Sequence, residues 1–396
     1  VSPYGILRSP TETIFGYGAL ESLTPVSAQL GANVLVCSDP NILGQPAVAA
    51  ALATLKGTSR SVLVFDAIEP DLPLRIVDEC LERCRGHEID VVIGLGGGSC
   101  LDAAKLAALL LRHPGPIERY YGEGAVPGPT LPVVAVPTTA GTGSEVTPVA
   151  VVADPGRRLK VGVSNPRLIP RVAICDPALT LSCPPSVTAF SGIDALAHAV
   201  EAFTAVARPR AWGSYPGEVF QGKTVFSDHF ALVAMRAIGG ALERAVTDGG
   251  DREAREQMLY GSLCAGLAFG NAGTAGAHAL QYPIGAATST PHGLGVGLLL
   301  PYVLRYTRSS CQAELEQVAA ALGVGSSADA AVAELGRLAE AVGVPRTLAQ
   351  IGIEESALPE IAAQAATVTR LVANSPRPLD EAGLLSILTE AWRGVV

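Results

Sequence analysis

The chain has 396 residues, 48% of them hydrophobic and 16% charged, a balance that fits two or three domains with substantial cores and excludes a disordered or fibrous chain. Mean hydropathy is +0.35, so either the interior is large or further surface is covered between subunits, and a homodimer or higher homo-oligomer is the expected state. A net charge of −9 with no Lys/Arg stripe argues against nucleic acid as a partner.

The N-terminal VSPYGILRSP has no basic region followed by an apolar core, which predicts no secretory signal and a cytoplasmic location. From there to about residue 180, short β-rich runs alternate with helical ones: ANVLVCSD, PAVAAALATL, SVLVFD, a helix through LRIVDECLERC, then DVVIGLGG. That rhythm predicts βαβ units, a parallel sheet with helices on both faces. Continuous apolar runs such as VVIGL and PVVAVP are those of strands buried on both sides. Asp39 ends the run VLVCSD, where its carboxylate could accept from ribose hydroxyls and repel a 2′-phosphate, or simply cap a helix.

The run at Asp90 closes in Gly96, Gly97, Gly98 and Ser99 and opens a helix with Asp102 and Lys105. Glycines let backbone approach a pyrophosphate, and the free N–H groups of a helix start favour its charge. The spacing is not GxGxxG and lacks the GK[ST] of a triphosphate loop. After PVVAVP comes a second polar cluster, Thr138, Thr139, Gly141, Thr142, Gly143, Ser144, Glu145 and Thr147, rich in short donors for phosphate and ribose.

Beyond CDPALTLSCPPS the β signal vanishes and Ala/Leu/Gly-rich helical patterns run onward, which places a domain boundary near residue 181. In FSGIDALAHAVEAF, Asp194 and His198 stand four apart, stacked on one helix face. Residues 206–228, poor in periodicity and rich in Gly, Pro and aromatics, read as an ordered loop with a functional or oligomer-contact role. In HALQYPIGAATSTPH, Pro283, Gly285 and Pro291 should break any single helix, so His278 is expected to end one and His292 to follow a turn. Three imidazoles and a carboxylate suit Fe²⁺, Zn²⁺, Mn²⁺ or Co²⁺. LPVVAVP and GLGVGLLLPYVL are broken by Gly or Pro well short of the roughly twenty residues of a membrane helix, so no span is expected. The eight cysteines form no CxxC pair and read as free thiols, with Cys80 and Cys84 as helix-face neighbours.

Taken in order, GGGSCLDAAK, PTTAGTGSEVT, GIDALAHAVEAF and HALQYPIGAATSTPHG resemble the iron-containing alcohol dehydrogenase family, the group III metal-dependent dehydrogenases, over nearly the whole chain. The resemblance implies a dehydroquinate synthase-like architecture: a dinucleotide-binding α/β domain with a parallel sheet at 1–181, an all-α metal-binding domain at 182–396, and an active site in the cleft between them. It implies Gly96, Gly97, Gly98, Ser99 and Asp102 on the pyrophosphate and Thr138, Thr139, Thr142 and Thr147 around the nicotinamide. Asp39 would lie near the adenosine ribose, with NAD preferred to NADP, and Lys160 matches a family lysine that reaches the cofactor ribose. Asp194, His198, His278 and His292 match the family's metal ligands, with Fe²⁺ expected and Zn²⁺ the alternative.

One position departs from the family pattern. Many members have HxxxH where this chain has His278 followed by Tyr282, and a phenol with a pKa near 10 is a weaker base than the usual histidine. His278 and Tyr282 are therefore the expected catalytic residues, Tyr282 as proton relay. The implied activity is NAD(H)-linked hydride transfer between nicotinamide C4 and the carbinol carbon of a small alcohol, or the reverse reduction of an aldehyde or ketone. Alternatives are a hydroxyacid–oxoacid transhydrogenase with tightly bound nicotinamide, a dehydroquinate synthase-type lyase, and a non-catalytic metal- and nucleotide-binding protein. Phe269, Asn271 and the 206–228 loop, as expected pocket lining, offer no evident arginine clamp, which favours a neutral alcohol or aldehyde over a dicarboxylic acid.

Overall fold

The computed structural model describes residues 5–156, 159–208 and 218–395. They form two compact units, one spanning Arg8–Ser182 and joined by residues 218–219, the other beginning at Cys183 and joined by residues 5–7.

Among the described residues the N-terminal unit carries nine strands: β1 (Glu12–Phe15), β2 (Asn33–Cys37), β3 (Ser61–Phe65), β4 (Val91–Gly96), β5 (Gly122–Glu123), β6 (Val133–Pro137), β7 (Val149–Asp154), β8 (Leu159–Ser164) and β9 (Val172–Cys175). Six of them pair in parallel in the order β1-β9-β6-β4-β2-β3. Strands β2, β4, β6 and β9 are buried along their whole length, as a sheet covered on both faces requires. Alternation along β2 sends Val34 and Val36 to a core with Leu23, Leu52 and Leu55, and Leu35 and Cys37 to another with Ile76, Cys80 and Ala104. Cys37 Sγ lies 4.0 Å from Cys80 Sγ; these thiols, with buried Cys84, are part of that apolar packing.

From β2 the chain runs outward to β3, then returns to the other side of β2 as β4 and continues to β6. This reversal sets the C-terminal ends of β2 and β4 side by side, the place where parallel sheets of this kind leave a crevice for ligands. The alternating pattern does not anticipate a second sheet, β5-β8-β7, in which β7 and β8 pair antiparallel. The Asp154 carboxylate accepts from the Gly156 N–H at 2.9 Å, so the Asp-Pro-Gly run ends β7 in a turn instead of a helical crossover.

Helices make up the C-terminal unit. Pro185–Thr204 is buried without interruption from Gly192 to Thr204 and is its central element. A Cβ on Gly293 would stand 1.9 Å from the Phe190 carbonyl oxygen and 2.9 Å from Asp194 Cβ. The helix His292–Thr307 therefore rests directly on the central helix backbone, an approach only glycine permits. One helix among the described residues, Val225–Thr247, is long and apolar enough by composition to cross a membrane. Its Ala231, Ala234, Met235, Ile238 and Leu242 are instead buried within the unit. Of the expected 206–228 loop, residues 209–217 lie outside the described residues, and a Thr224/Ser227 capping box starts the helix at Val225.

Candidate metal centre and nucleotide turn

In the C-terminal unit, Asp194 and His198 project from one face of the central helix, as their spacing demands. His278 is the third residue of the helix Gly276–Thr288 and His292 the first of His292–Thr307. The expectation that His278 ends a helix is therefore corrected. Pro283 sits inside that helix, which continues because His278, Ala279, Leu280, Gln281, Pro283 and Ile284 are all buried, and this burial outweighs one missing N–H. The turn before His292 forms at Ser289, whose φ is 56°.

All three imidazoles converge on one carboxylate oxygen. From Asp194 Oδ1, His278 Nε2 lies 3.6 Å away, His292 Nε2 3.8 Å and His198 Nε2 3.9 Å. Asp194, His278 and His292 offer ligand atoms all within 4.8 Å of one another. His198 is held edge-on to the group by stacking: its ring lies 4.1 Å from Phe269 on one side and 4.7 Å from His278 on the other. Asp194 Oδ1 and His278 Nε2 are buried and make no hydrogen bond among the described residues. An acceptor oxygen and an imidazole nitrogen left so, facing one point, fit a divalent cation of borderline hardness.

Glu201 completes the arrangement, and sequence reasoning missed it. It stands three residues after His198 on the central helix, and the HxxE spacing was the available signal. Its Oε2 accepts from His278 Nδ1 at 2.7 Å and from Ala275 N at 2.8 Å, and its Oε1 from Ala277 N at 2.6 Å. With Nδ1 donating, the Nε2 lone pair of His278 is fixed on the convergence point. Burial alone would lower His278, but the Glu201 and Asp194 carboxylates outweigh it and raise the imidazole to about 9. Burial likewise opposes ionisation of Asp194, yet the surrounding histidines hold it well below the usual carboxylate range. Two buried carboxylates thus create a demand for positive charge.

Tyr282 lies with its ring 6.2 Å from that of His292. Burial raises its phenol further, with Asp194 and Glu201 adding to the rise and Arg370 opposing it. The residue is accordingly a proton donor at neutral pH and a poor base. Arg370, whose guanidinium stacks 4.3 Å over Phe220, is a positive charge the sequence did not place near this group. Asn271 is buried, its side chain donates to the Leu267 carbonyl at 2.9 Å and its own carbonyl accepts from Gln221 N at 2.7 Å.

The nucleotide turn belongs to the N-terminal unit. Gly96 ends β4 with φ at 149°, and a Cβ there would stand 2.5 Å from Cys100 Sγ. The helix Gly98–Arg112 starts with no side-chain cap at Gly97; Cys100 N and Leu101 N donate to the Gly97 carbonyl, and a helix start of this kind favours an anion. Asp39 Oδ1 caps the short helix Pro40–Leu43 by accepting from Asn41 N and Ile42 N, and its Oδ2 lies 3.9 Å from Cys100 Sγ beside the turn. Thr138 N donates to the Gly96 carbonyl at 3.0 Å, and Thr139 and Thr142 lie against Gly97 and Gly98. The structure therefore brings Asp39, Gly96, Gly97, Gly98, Ser99, Thr138, Thr139 and Thr142 together.

Three further expected cofactor residues have protein partners of their own. The Asp102 Oδ1 accepts from Ser144 Oγ at 2.6 Å and its Oδ2 from Val151 N at 2.9 Å. Thr147 is buried and takes a hydrogen bond from Lys105 Nζ at 3.3 Å. Lys160 pairs with Asp71, a half-exposed contact of little energetic weight. Burial lowers Lys105 to about 8 and raises Glu145 to about 7.

Comparison with known proteins bears on the family. The family model for iron-containing alcohol dehydrogenase matches residues 10–177, and that for the C-terminal part of the Fe-containing alcohol dehydrogenase family matches 188–392. The chain is 41% identical to long-chain-alcohol dehydrogenase 1 of Geobacillus thermodenitrificans, over 96% of this chain and 95% of that one. A solved 1,3-propanediol oxidoreductase superimposes with a TM-score of 0.90 at 31% identity, covering 98% of this chain and 100% of the other. Sulfoacetaldehyde reductase from Bifidobacterium kashiwanohense, solved in complex with NAD⁺, gives 0.86 at 27% identity and covers 98% of each chain.

Two outcomes are expected. Glu201→Gln should weaken divalent-metal retention by roughly 10- to 100-fold, read by competition with a chelator; retention equal to wild type would remove Glu201 from that role. Folded Glu145 keeps its proton to about pH 7, while an unfolded chain releases it near 4.5. The folded state therefore binds more protons in this window, and this group's contribution to stability falls as pH rises through it. Glu145→Gln should show a stability gain over wild type that grows by on the order of 1–3 kcal/mol from pH 5 to pH 8 in urea titrations. An equal difference at both pH values would show that Glu145 ionises normally.

Proposed function

The chain belongs to the iron-containing alcohol dehydrogenase family and is a metal-dependent alcohol dehydrogenase or aldehyde reductase using iron and NAD; from that premise we propose which of its residues hold metal, cofactor and substrate. Asp194, His198, His278 and His292 hold the iron(II). The observation that carries this is the convergence of three Nε2 atoms within 3.9 Å of one buried carboxylate oxygen. When bound, the iron supplies a Lewis acid that polarises the substrate oxygen.

The remaining work falls to the chain itself. Glu201 keeps His278 in the tautomer whose Nε2 faces the ligand point. The Phe269–His198–His278 stack fixes two ring planes and excludes water from that side. Residues 96–99 hold the pyrophosphate through backbone N–H groups, and Thr138, Thr139 and Thr142 surround the nicotinamide half. The Asp39 carboxylate accepts from the adenosine ribose and repels a 2′-phosphate, so NAD is preferred to NADP. Tyr282 hands its phenolic proton toward the substrate oxygen in reduction and recovers it in oxidation, because its raised pKa makes it a donor.

The substrate is a neutral primary alcohol with an apolar chain, or its aldehyde. Support comes from the similarity to the long-chain-alcohol dehydrogenase at 41% identity and from apolar Phe269 lying directly on a ligand histidine. Iron-loaded protein given NAD and unbranched primary alcohols from methanol to dodecanol should form NADH with kcat/KM rising along the series, and chelation should abolish turnover. Stoichiometric iron with no NADH from any member would sink the reading, and hydride exchange between a hydroxy acid and an oxo acid without added NAD would replace it with a transhydrogenase. Tyr282→Phe should lower kcat by about 100-fold while iron content stays at the wild-type level; an unchanged kcat excludes Tyr282 from proton transfer.

A further inference from the structure

Lys105 is 1% exposed, and a fully buried ammonium is costly unless its donors are all met. Its Nζ donates to Ser144 Oγ at 2.8 Å, to the Thr147 carbonyl at 3.0 Å and its Oγ1 at 3.3 Å, and to the Val149 carbonyl at 2.8 Å. Asp102, one turn earlier on the same helix face, accepts from Ser144 Oγ at 2.6 Å and from Val151 N at 2.9 Å. Two charged side chains of the helix that opens at the nucleotide turn therefore grip one segment, from Ser144 to the start of β7.

The grip reaches the cofactor residues through a short lever. Only Gly143, with φ at 59°, separates Ser144 from Thr142, and Ser144 N donates to Thr142 Oγ1 at 3.2 Å. Thr142 in turn lies so close to the turn that a Cβ on Gly98 would stand 2.6 Å from its Cγ2. Fixing Ser144 thus fixes Thr142 against Gly98, and with it the spacing between the 96–99 turn and the 138–142 hydroxyls. An apolar pair of similar volume would fill this space at less desolvation cost; it would not set that spacing.

We propose that Lys105 and Asp102 are positioning residues for the dinucleotide, clasping the 138–147 loop to the glycine turn. The proposal rests on the assignment of the nucleotide turn made above. Without the clasp the loop hydroxyls lose their register with the turn, so cofactor binding weakens while the metal centre is untouched.

The test uses full-length, iron-loaded Lys105→Met, Ser144→Ala and the double variant. NADH affinity is measured by fluorescence titration, with KM for NAD, KM for the alcohol, kcat, iron content and melting temperature alongside. Lys105→Met should weaken NADH binding and raise KM for NAD by roughly 10-fold or more, with a much smaller change in kcat and no change in iron content or alcohol KM. Ser144→Ala should move the same quantities less, and the double variant should be no worse than Lys105→Met, because both act through one anchor. A lowered melting temperature with wild-type NADH affinity and KM would show a merely structural lysine and overturn the proposal. If Lys105→Met does not fold, Ser144→Ala decides alone: wild-type affinity overturns the clasp. Wild-type protein that itself fails to bind NADH overturns instead the assignment of the turn on which the clasp rests.

Discussion

A carboxylate removed from water must be met by hydrogen bonds or by opposite charge, and each unit of this protein is organised around that demand. In the C-terminal unit Asp194 and Glu201 lie in the interior of the central helix, 5% and 1% exposed. Histidines from three helices supply the compensation, and their directions follow from it. In the N-terminal unit Asp102 and Glu145 are buried, and Lys105 supplies the charge. Neither cluster is an economical way to stabilise a core, since apolar side chains of the same volume would do so without desolvation. Each instead specifies a geometry that apolar packing leaves undefined.

The two clusters differ in what remains unsatisfied. Around Lys105 the ammonium's own donors are consumed by Ser144, Thr147 and Val149, although Glu145 Oε1 makes no hydrogen bond among the described residues. Around Asp194 the set is open: Asp194 Oδ1 and His278 Nε2 make no hydrogen bond among the described residues, and a cation there would take the place of the proton that the raised imidazole holds. Glu201 explains the difference, because it engages the other nitrogen of His278 and leaves Nε2 as an acceptor. A closed polar group holds backbone in place, whereas an open one binds a cation. The glycine at 293 serves the open set, since it lets the first turn of the His292 helix approach Asp194.

Much of this was legible along the chain. The βαβ rhythm, the Gly-rich turn after β4 and the Asp194/His198 spacing are local patterns, and local patterns survive folding because strand and helix periods fix side-chain faces. The antiparallel β7/β8 pair was not read, although Asp-Pro-Gly lies there, because a turn does not state which strands it will join. The helical position of His278 was misjudged for a similar reason. Pro283 and Gly285 are helix breakers by propensity, yet burial of the surrounding residues overrides propensity. Arg370 is far in sequence from Tyr282 and carries no motif, so its charge near the phenol had no sequence signal.

The sequence by itself determined the fold class and the family and picked out the four residues that converge at Asp194, since each depends on residue chemistry at fixed short spacings. Tertiary structure alone decided how those residues divide their tasks. Asp102 and Thr147 sit within motifs that suggest cofactor contact, and the fold adds hydrogen bonds to Ser144, Val151 and Lys105 that the motifs do not state. Glu201 looks like one more helical glutamate until the His278 ring is set against it at 2.7 Å. The physical reason is common to both cases: a side chain's role is fixed by the partner that satisfies its charge, and for a buried group that partner comes from another part of the chain.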